Sequence, residues 1–301
     1  MEFGMQLTSR GPDANPDAFI AFAEKAEETG LERIWASDHL IVPPQHKTSY
    51  FSHPGGKVPD TWKANYFQPF SVLNFLAART TKARLGTSVL ILPMRNPIEL
   101  AAQVTELDVL SGGRFDFGIG VGWFHEEFEA LGYDFTNRGK RTDEALGLMK
   151  ELWSDGNATF EGEFNSFSDA IMEPKPVQKP HPPIYIGGGS IHAMRRAARS
   201  AQAFQPVKTS PEEFAEIVKT MTELLDQEGR SIDDFIMCPK LGLSFKDGPE
   251  LTTGTVQDII DAIHRYEDAG ATEMCFDNML ESIDNALDLL DRFAGEVRPK
   301  L

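Results

Sequence analysis

The chain has 301 residues, too many for one ordinary domain of about 150 residues but suitable for one large α/β barrel. Its 46 acidic residues outnumber 29 basic ones, and the net charge of −17 disfavours nucleic acids and anionic membrane surfaces as partners. There is no apolar run near the ~20 residues of a membrane span and no signal-peptide pattern. We therefore expect a cytoplasmic protein.

Short apolar runs alternate with helical patterns along the chain. The patterns predict eight strands, at residues 3–7, 33–37, 84–92, 114–120, 183–187, 202–205, 235–245 and 272–276. Each strand is followed by a predicted helix, and several helices begin at a capping residue such as Asn15 or Ser210. Eight such units favour an α/β fold, a (β/α)8 TIM barrel forming one domain over residues 1–301. An open doubly wound sheet stays an alternative, because the sixth strand is weak.

Two long polar segments interrupt the alternation, at residues 40–66 and 123–138. We predict insertion loops after strands 2 and 4, and long loops in compact domains often act as lids. Trp62 and Trp123 in these segments are predicted to cover a substrate, although each also suits a simple loop anchor. Glu126 and Glu127 are predicted to form a solvated helix face.

In such a barrel the active site lies where the strands end. The residues at the predicted strand ends are Asp38, His39, Ser88, Val89, the glycines of residues 118–122, the segment 187–190, Asp277 and Asn278. His39 is suited to proton transfer near neutral pH, and a purely structural histidine is the alternative.

Gly187, Gly188, Gly189 and Ser190 form a glycine-rich turn into a predicted helix. Glycines let the backbone approach an anion, and free N–H groups at a helix start point toward it. We predict a phosphate site here; a plain turn with Ser190 as N-cap is the alternative.

Gly118, Gly120 and Gly122 follow a GxGxG spacing, which differs from the GxGxxG spacing of dinucleotide sites. Their small size suits either a planar ligand lying against the strand or close packing by neighbouring segments.

Other catalytic classes lack their usual residues. The first strand has no HxH pair, and no GxSxG elbow is present, which weakens metal-dependent and serine hydrolase interpretations. Cys238 and Cys275 have no partner at metal-ligand spacing, so we expect two buried, reduced thiols and no metal site.

Taken together, several segments resemble the luciferase-like monooxygenase superfamily. They lie at residues 23–30, 35–39, 84–90, 93–97, 107–115, 118–123, 127–132, 174–178 and 182–188. The resemblance implies a (β/α)8 barrel with insertions, usually a homodimer, that binds FMN or the deazaflavin coenzyme F420. The compact length resembles the deazaflavin-dependent branch, so F420 is favoured.

The resemblance also assigns roles to individual positions. It implies a non-proline cis peptide at Ser88-Val89 behind the cofactor ring, His39 at the reacting face, and a cofactor phosphate on Gly188, Gly189 and Ser190. The whole set of cofactor-binding residues we predict is Asp38, Ser88, Val89, Gly120, Gly122, Gly187, Gly188, Gly189 and Ser190.

Two positions depart from the deazaflavin-dependent sugar and alcohol dehydrogenases of this superfamily. Pro43 stands where those enzymes carry Trp, and Trp123 where they carry Glu. We therefore expect hydride transfer from reduced F420 to a larger, flatter organic substrate. The alternatives are an FMN-dependent monooxygenase that uses oxygen and a separate reductase, and a flavin-binding protein without catalysis.

Overall fold

The computed structural model describes residues 1–50, 56–248, 251–277 and 282–301. Within them, the strands are β1 (Glu2–Gln6), β2 (Arg33–Ala36), β3 (Arg84–Thr87), β4 (Leu90–Ile91), β5 (Phe115–Gly120), β6 (Ala158–Glu161), β7 (Ser166–Ala170), β8 (Ile184–Gly187), β9 (Ala203–Gln205), β10 (Ile236–Met237), β11 (Lys240–Gly242) and β12 (Glu273–Asp277). The helices are α1 (Pro16–Glu28), α2 (Pro69–Ala77), α3 (Pro97–Leu110), α4 (His125–Ala130), α5 (Arg138–Trp153), α6 (Ile191–Ser200), α7 (Pro211–Gln227), α8 (Val256–Asp268) and α9 (Ile283–Arg292).

Ten strands form one parallel sheet that curls on itself. Its order is β10-β9-β8-β5-β3-β2-β1-β12-β11, and β4 adds a second pairing to β5. The two ends of this order, β10 and β11, are pieces of one segment interrupted at Cys238 and Pro239. The same stretch of chain therefore contributes to both ends of the sheet. Because the strands of this sheet are parallel, they all end at one rim, as in TIM barrels.

Most helices begin where the sequence predicted. The Asn15 side chain accepts a hydrogen bond from the Ala18 N–H at the start of α1, and Ser210 and Thr255 form capping boxes at α7 and α8. Each such cap stabilises its helix by about 1 kcal/mol. On α1, Phe19 and Phe22 are buried and belong to the main hydrophobic core.

Three predicted elements differ in detail. The third strand, predicted as continuous, is divided into β3 and β4 by a cis peptide between Ser88 and Val89. The seventh is divided into β10 and β11, where Pro239 has no N–H for a sheet ladder. The segment 123–138, predicted to be a loop, contains α4. Between α5 and β8, the antiparallel strands β6 and β7 form a hairpin around Gly162.

A buried ion cluster lies where the barrel strands begin. Arg33 Nε is 3.1 Å from Asp116 Oδ2, and Arg33 Nη2 is 2.8 Å from Glu273 Oε1. Tyr185 donates its hydroxyl hydrogen to Glu273 at 3.0 Å. Because every member is buried and paired, the cluster closes the end of the barrel opposite the predicted site.

Among the described residues, no helix is both long and apolar enough to cross a membrane. Cys238 and Cys275 are free and buried, as predicted. Burial raises the pKa of the Cys275 thiol to about 11, so it stays protonated near neutral pH.

Candidate active site

His39 lies directly after β2 with only 5% of its surface exposed. Its Nδ1 is 2.7 Å from Oε2 of Glu127, a residue 88 positions along the chain. Oε1 of the same carboxylate accepts hydrogen bonds from the N–H groups of Leu40 at 2.6 Å and Ile41 at 3.2 Å. With an ionised carboxylate, Nδ1 carries a proton and Nε2 is left to exchange one with a ligand.

Aromatic rings surround His39 on several sides. We call Tyr50, Trp62, Tyr66, Trp123 and Phe124 the aromatic chamber. The His39 ring centroid lies 4.8 Å from that of Trp62, 5.8 Å from Tyr66, 5.9 Å from Trp123 and 6.2 Å from Phe124. Tyr50 lies 5.0 Å from both tryptophans. The two predicted cover residues are thus brought together beside His39, in a setting that suits a flat ligand.

The prediction that Glu126 and Glu127 form a solvated helix face is wrong. Glu127 is fully buried, and Glu126 accepts hydrogen bonds from the N–H of Thr48 at 3.0 Å and its hydroxyl at 2.6 Å. Both carboxylates therefore fasten α4 to the segment that follows His39. Partial burial raises the pKa of Glu126, but the hydrogen bonds from Thr48 and Lys47 outweigh that effect and lower it to about 2.

Asp38 points into protein rather than toward the chamber. Its Oδ2 accepts from the Ile91 N–H at 2.9 Å, and its Oδ1 accepts from Arg95 Nη2 at 2.6 Å. Both oxygens are used to hold the segment that follows the cis peptide. A cavity of about 230 Å³ borders the outer side of Arg95, between Asn96, Glu99 and Tyr133, and does not include His39.

The cis peptide at Ser88-Val89 was implied by the resemblance and is present. The Ser88 hydroxyl donates to Gln205 Oε1 at 2.6 Å. The Lys240 ammonium donates to the Ser88 carbonyl at 2.9 Å and to Gln6 Oε1 at 2.6 Å. These contacts hold the segment from inside the barrel and leave Val89 partly exposed.

Val89 also explains two predicted site glycines. A Cβ on Gly120 would lie 2.8 Å from Val89 Cγ2, and one on Gly187 would lie 2.7 Å from Val89 Cγ1. A Cβ on Gly122 would meet Ile91 and Phe128 at 2.7 and 2.8 Å. Of the two alternatives for this glycine strand, close packing by neighbours is therefore the one these contacts favour.

Gly188 and Gly189 present a different geometry. Gly188 has φ +129°, a conformation that favours glycine, and its N–H donates to Gln205 O at 3.3 Å. A Cβ on Gly189 would meet nothing within 4 Å, and Gly189 N–H has no backbone acceptor among the described residues. The Ser190 side chain caps α6 by accepting from the Ala193 N–H at 3.2 Å. This turn is open on the side where helix N–H groups are exposed.

The family follows from comparison with known proteins. A model of the luciferase-like monooxygenase family matches residues 1–273. The chain belongs to that family. An uncharacterised protein of Mycobacterium tuberculosis is 28% identical over 300 residues, 99% of both chains. An F420-dependent glucose-6-phosphate dehydrogenase of Kineococcus radiotolerans is 32% identical over 244 residues, 78% of this chain and 66% of that one.

Solved structures share the fold of this luciferase-like protein. The monooxygenase RslO1 from Streptomyces bottropensis has a TM-score of 0.83 at 20% identity, covering 100% of this chain and 99% of that one. An F420-dependent secondary alcohol dehydrogenase, solved with an F420-acetone adduct, has a TM-score of 0.79 at 18% identity, covering 99% and 98%. The luciferase-like protein is therefore an enzyme of the oxidoreductase and monooxygenase type, and F420 or FMN are the cofactors its relatives support.

Sequence reasoning missed Glu127, although a signal was present. Phe124, Glu127, Phe128 and Leu131 are spaced i, i+3, i+4 and i+7, the pattern of one buried helix face. Asp277 ends β12, at the predicted strand end. Asn278 and residues 51–55 of the predicted lid lie outside the described residues. No group of three or more potential metal ligands occurs among the residues that are described.

Proposed function

We propose that this luciferase-like protein uses reduced coenzyme F420 to transfer hydride to a flat organic substrate. The observation that carries the proposal is the His39–Glu127 pair, buried within the aromatic chamber at the strand ends. The glucose-6-phosphate dehydrogenase of Kineococcus, an F420-dependent relative covering 78% of this chain, supports the cofactor.

The residues present fit the cofactor. Its phosphate would bind Gly188, Gly189 and Ser190, where the open Gly189 Cβ position and its N–H leave room for an anion. Its ring would lie against Val89, which is partly exposed at the rim. Asp38, Gly120, Gly122 and Gly187 would shape this surface through their packing rather than by direct contact.

When bound, reduced F420 supplies a hydride to an unsaturated or carbonyl carbon. The protein supplies the proton, orients the substrate and excludes water. His39 donates the proton from Nε2 to the substrate oxygen or carbon, and Glu127 stabilises the doubly protonated ring. The aromatic chamber orients a flat substrate and excludes water from the reacting atoms.

A sugar phosphate fits this site poorly. Trp123 and Pro43 occupy the two positions where the deazaflavin-dependent sugar dehydrogenases of the family carry Glu and Trp. Most side chains packed around His39 are aromatic rings. We therefore assign a conjugated or aromatic substrate to the chamber.

The second candidate is an FMN-dependent monooxygenase supplied by a separate reductase. Its support is the overall similarity to a Streptomyces monooxygenase, with a TM-score of 0.83. A flavin-binding protein without catalysis is a weaker candidate, because such a protein would not need a buried histidine–carboxylate pair.

For the architecture, we propose a closed (β/α)8 barrel whose seventh strand is interrupted at Pro239, with insertion loops after strands 2 and 4. The presence of one chain segment at both ends of the sheet order supports closure. We further propose a cytoplasmic homodimer, in line with the usual state of the family.

The deciding experiment is a titration of apo protein with F420 and, separately, FMN, followed by cofactor fluorescence and native mass spectrometry. Tight binding of F420 alone supports hydride transfer. Tight binding of FMN alone, with oxygen uptake after reduction, would replace the proposal by the monooxygenase. Tightly bound oxidised flavin that neither reduces nor reacts would instead indicate a carrier.

A further inference from the structure

Arg10 lies just beyond β1, at the same rim as His39. Its backbone forms an isolated antiparallel bridge with Tyr66, a member of the aromatic chamber. Its Nη1 donates to the Ser37 hydroxyl oxygen at 2.9 Å, and its guanidinium carbon lies 5.3 Å from the Trp62 ring centroid. Arg10 thus forms part of the wall of the chamber.

The guanidinium has little else to bind. It hydrogen-bonds to the Ser37 hydroxyl and to Tyr66, and no ion pair joins it to a carboxylate in the described parts of the chain. Burial lowers its pKa, but the electrostatic effects of Tyr66 and Asp277 outweigh burial and raise the pKa above its usual value. Arg10 is therefore a cation with several N–H donors still available.

Three other partly or fully buried arginines, Arg33, Arg84 and Arg114, have more hydrogen-bond partners. Arg33 binds Asp116 and Glu273, and Arg84 binds Asp116 and Gln178. Arg114 donates to the backbone oxygens of Ser111 and Thr80. A partly buried guanidinium whose hydrogen bonds go to hydroxyl groups gains little stability from its position, so the arrangement at Arg10 is typical of a binding residue.

A second donor stands beside it. The Ser37 oxygen is 3.1 Å from the Tyr66 hydroxyl oxygen. Burial raises the pKa of Tyr66 to about 12, so its hydroxyl stays protonated near neutral pH. Arg10, Ser37 and Tyr66 form a connected set of donors at the edge of an aromatic surface.

We propose that Arg10 binds the carboxylate of a planar aromatic substrate whose ring packs within the aromatic chamber. The assignment rests on the proposed function, because it names the substrate class of the same site. A planar fork of N–H donors matches the two oxygens of a carboxylate, and the guanidinium lies beside the Trp62 ring.

The test compares two aromatic probes that differ in charge alone, 2-naphthoate and its neutral amide 2-naphthamide. Each is titrated at pH 8 into protein without cofactor and into protein loaded with F420 or FMN, by calorimetry and tryptophan fluorescence. We expect wild-type protein to bind naphthoate about tenfold or more tightly than naphthamide, because charge-assisted hydrogen bonds are stronger than neutral ones.

The decisive variant is Arg10→Met, which keeps much of the apolar stem and removes the charge. It should bind both probes with equal affinity, while Arg10→Lys should keep part of the preference. Arg79→Met, just beyond the C-terminal end of α2, is the matched control, because Arg79 is exposed and its guanidinium lies over the Phe75 ring. Melting temperatures within the wild-type range show that the variants are folded.

Equal affinity of wild-type protein for the two probes, in every cofactor state, would overturn the assignment. So would an Arg10→Met protein that loses cofactor affinity and keeps its preference for naphthoate. Because the probes are titrated without cofactor as well, a naphthoate preference in a protein that binds neither F420 nor FMN would refute the proposed function and leave the Arg10 site standing.

Discussion

Nδ1 of His39 and Oε2 of Glu127 lie 2.7 Å apart, and the Glu127 side chain is inaccessible to solvent. The other oxygen of that carboxylate is held by the N–H groups of Leu40 and Ile41, the two residues that follow His39. The loop that carries the histidine thus also fixes the carboxylate that orients it. This reciprocal arrangement fixes the Nδ1 side of the His39 ring against the carboxylate.

Replacing His39 with Ala should lower turnover about 100-fold or more, because general acid–base catalysis contributes on that scale. Affinity for the cofactor should stay near the wild-type value, since no predicted phosphate contact involves His39. Steady-state kinetics together with a cofactor titration check both parts. Unchanged turnover in the variant would remove His39 from the mechanism.

The variant Glu127→Gln should change the tautomer of His39. The N–H groups of Leu40 and Ile41 require an oxygen, so the amide NH₂ of the glutamine would face Nδ1 and move the ring proton to Nε2. Loss of the correct tautomer lowers kcat about 100-fold or more in comparable dyads.

Nitrogen-15 NMR of the imidazole reports the tautomer directly, independently of the rate. Glu129→Gln is the matched control, because Glu129 is exposed on the same helix. A Glu127→Gln protein with the wild-type tautomer and wild-type kcat would show that Glu127 has a packing role alone.

Glu126 should hold the segment after His39 in place. In Glu126→Ala, the amides of Lys47 and Thr48 lose their acceptor and should exchange with solvent about tenfold faster, the scale of one charged hydrogen bond. The folded pKa of about 2 lies below the usual 4.5, so the contact contributes above pH 4.5 and is lost as the pH falls toward 2. Hydrogen exchange at pH 7 checks this; equal rates in both proteins would contradict it.

Substitutions at Gly189 test the phosphate site without disturbing the fold. A side chain there meets nothing within 4 Å, so both Gly189→Asp and Gly189→Asn should fold normally. The added negative charge in Gly189→Asp should weaken cofactor binding about tenfold or more, because it opposes an anion at a helix start. The uncharged Asn variant should bind much more tightly than the Asp variant. Matching affinities in the two would place the phosphate elsewhere.

The parts of this fold that depend on local signals could be predicted from sequence. Caps such as Asn15 and Ser210 begin helices through bonds to residues three positions away, and such short-range chemistry is readable. The interruption at Ser88-Val89 has no periodic signal of its own and came from the resemblance alone.

Contacts between residues far apart in the sequence could not be predicted in this way. His39 and Glu127 are 88 positions apart in the sequence. Arg10 and Ser37, which are hydrogen-bonded, are 27 positions apart. A charged residue within a polar stretch is usually exposed, which is why Glu127 was assigned to solvent. Only the barrel, by bringing strand ends to one rim, converts these separated residues into a site.

Glu273 should make stability depend on pH through the ion cluster at the other end of the barrel. Burial raises its pKa to about 7, with Asp116 and Glu2 adding to the effect and Arg33 opposing it. The folded protein therefore holds this proton more tightly than the unfolded chain does. The resulting stabilisation is complete below pH 4.5 and is lost as the pH rises to about 7.

In Glu273→Gln this dependence should disappear, because the amide does not titrate and still accepts from Tyr185. Relative to the wild type, the variant should gain up to about 3 kcal/mol in the free energy of unfolding between pH 4.5 and pH 8. Urea unfolding at several pH values measures the difference. Parallel curves for wild type and Glu273→Gln would mean that Glu273 is already ionised throughout this range and that Arg33 outweighs burial.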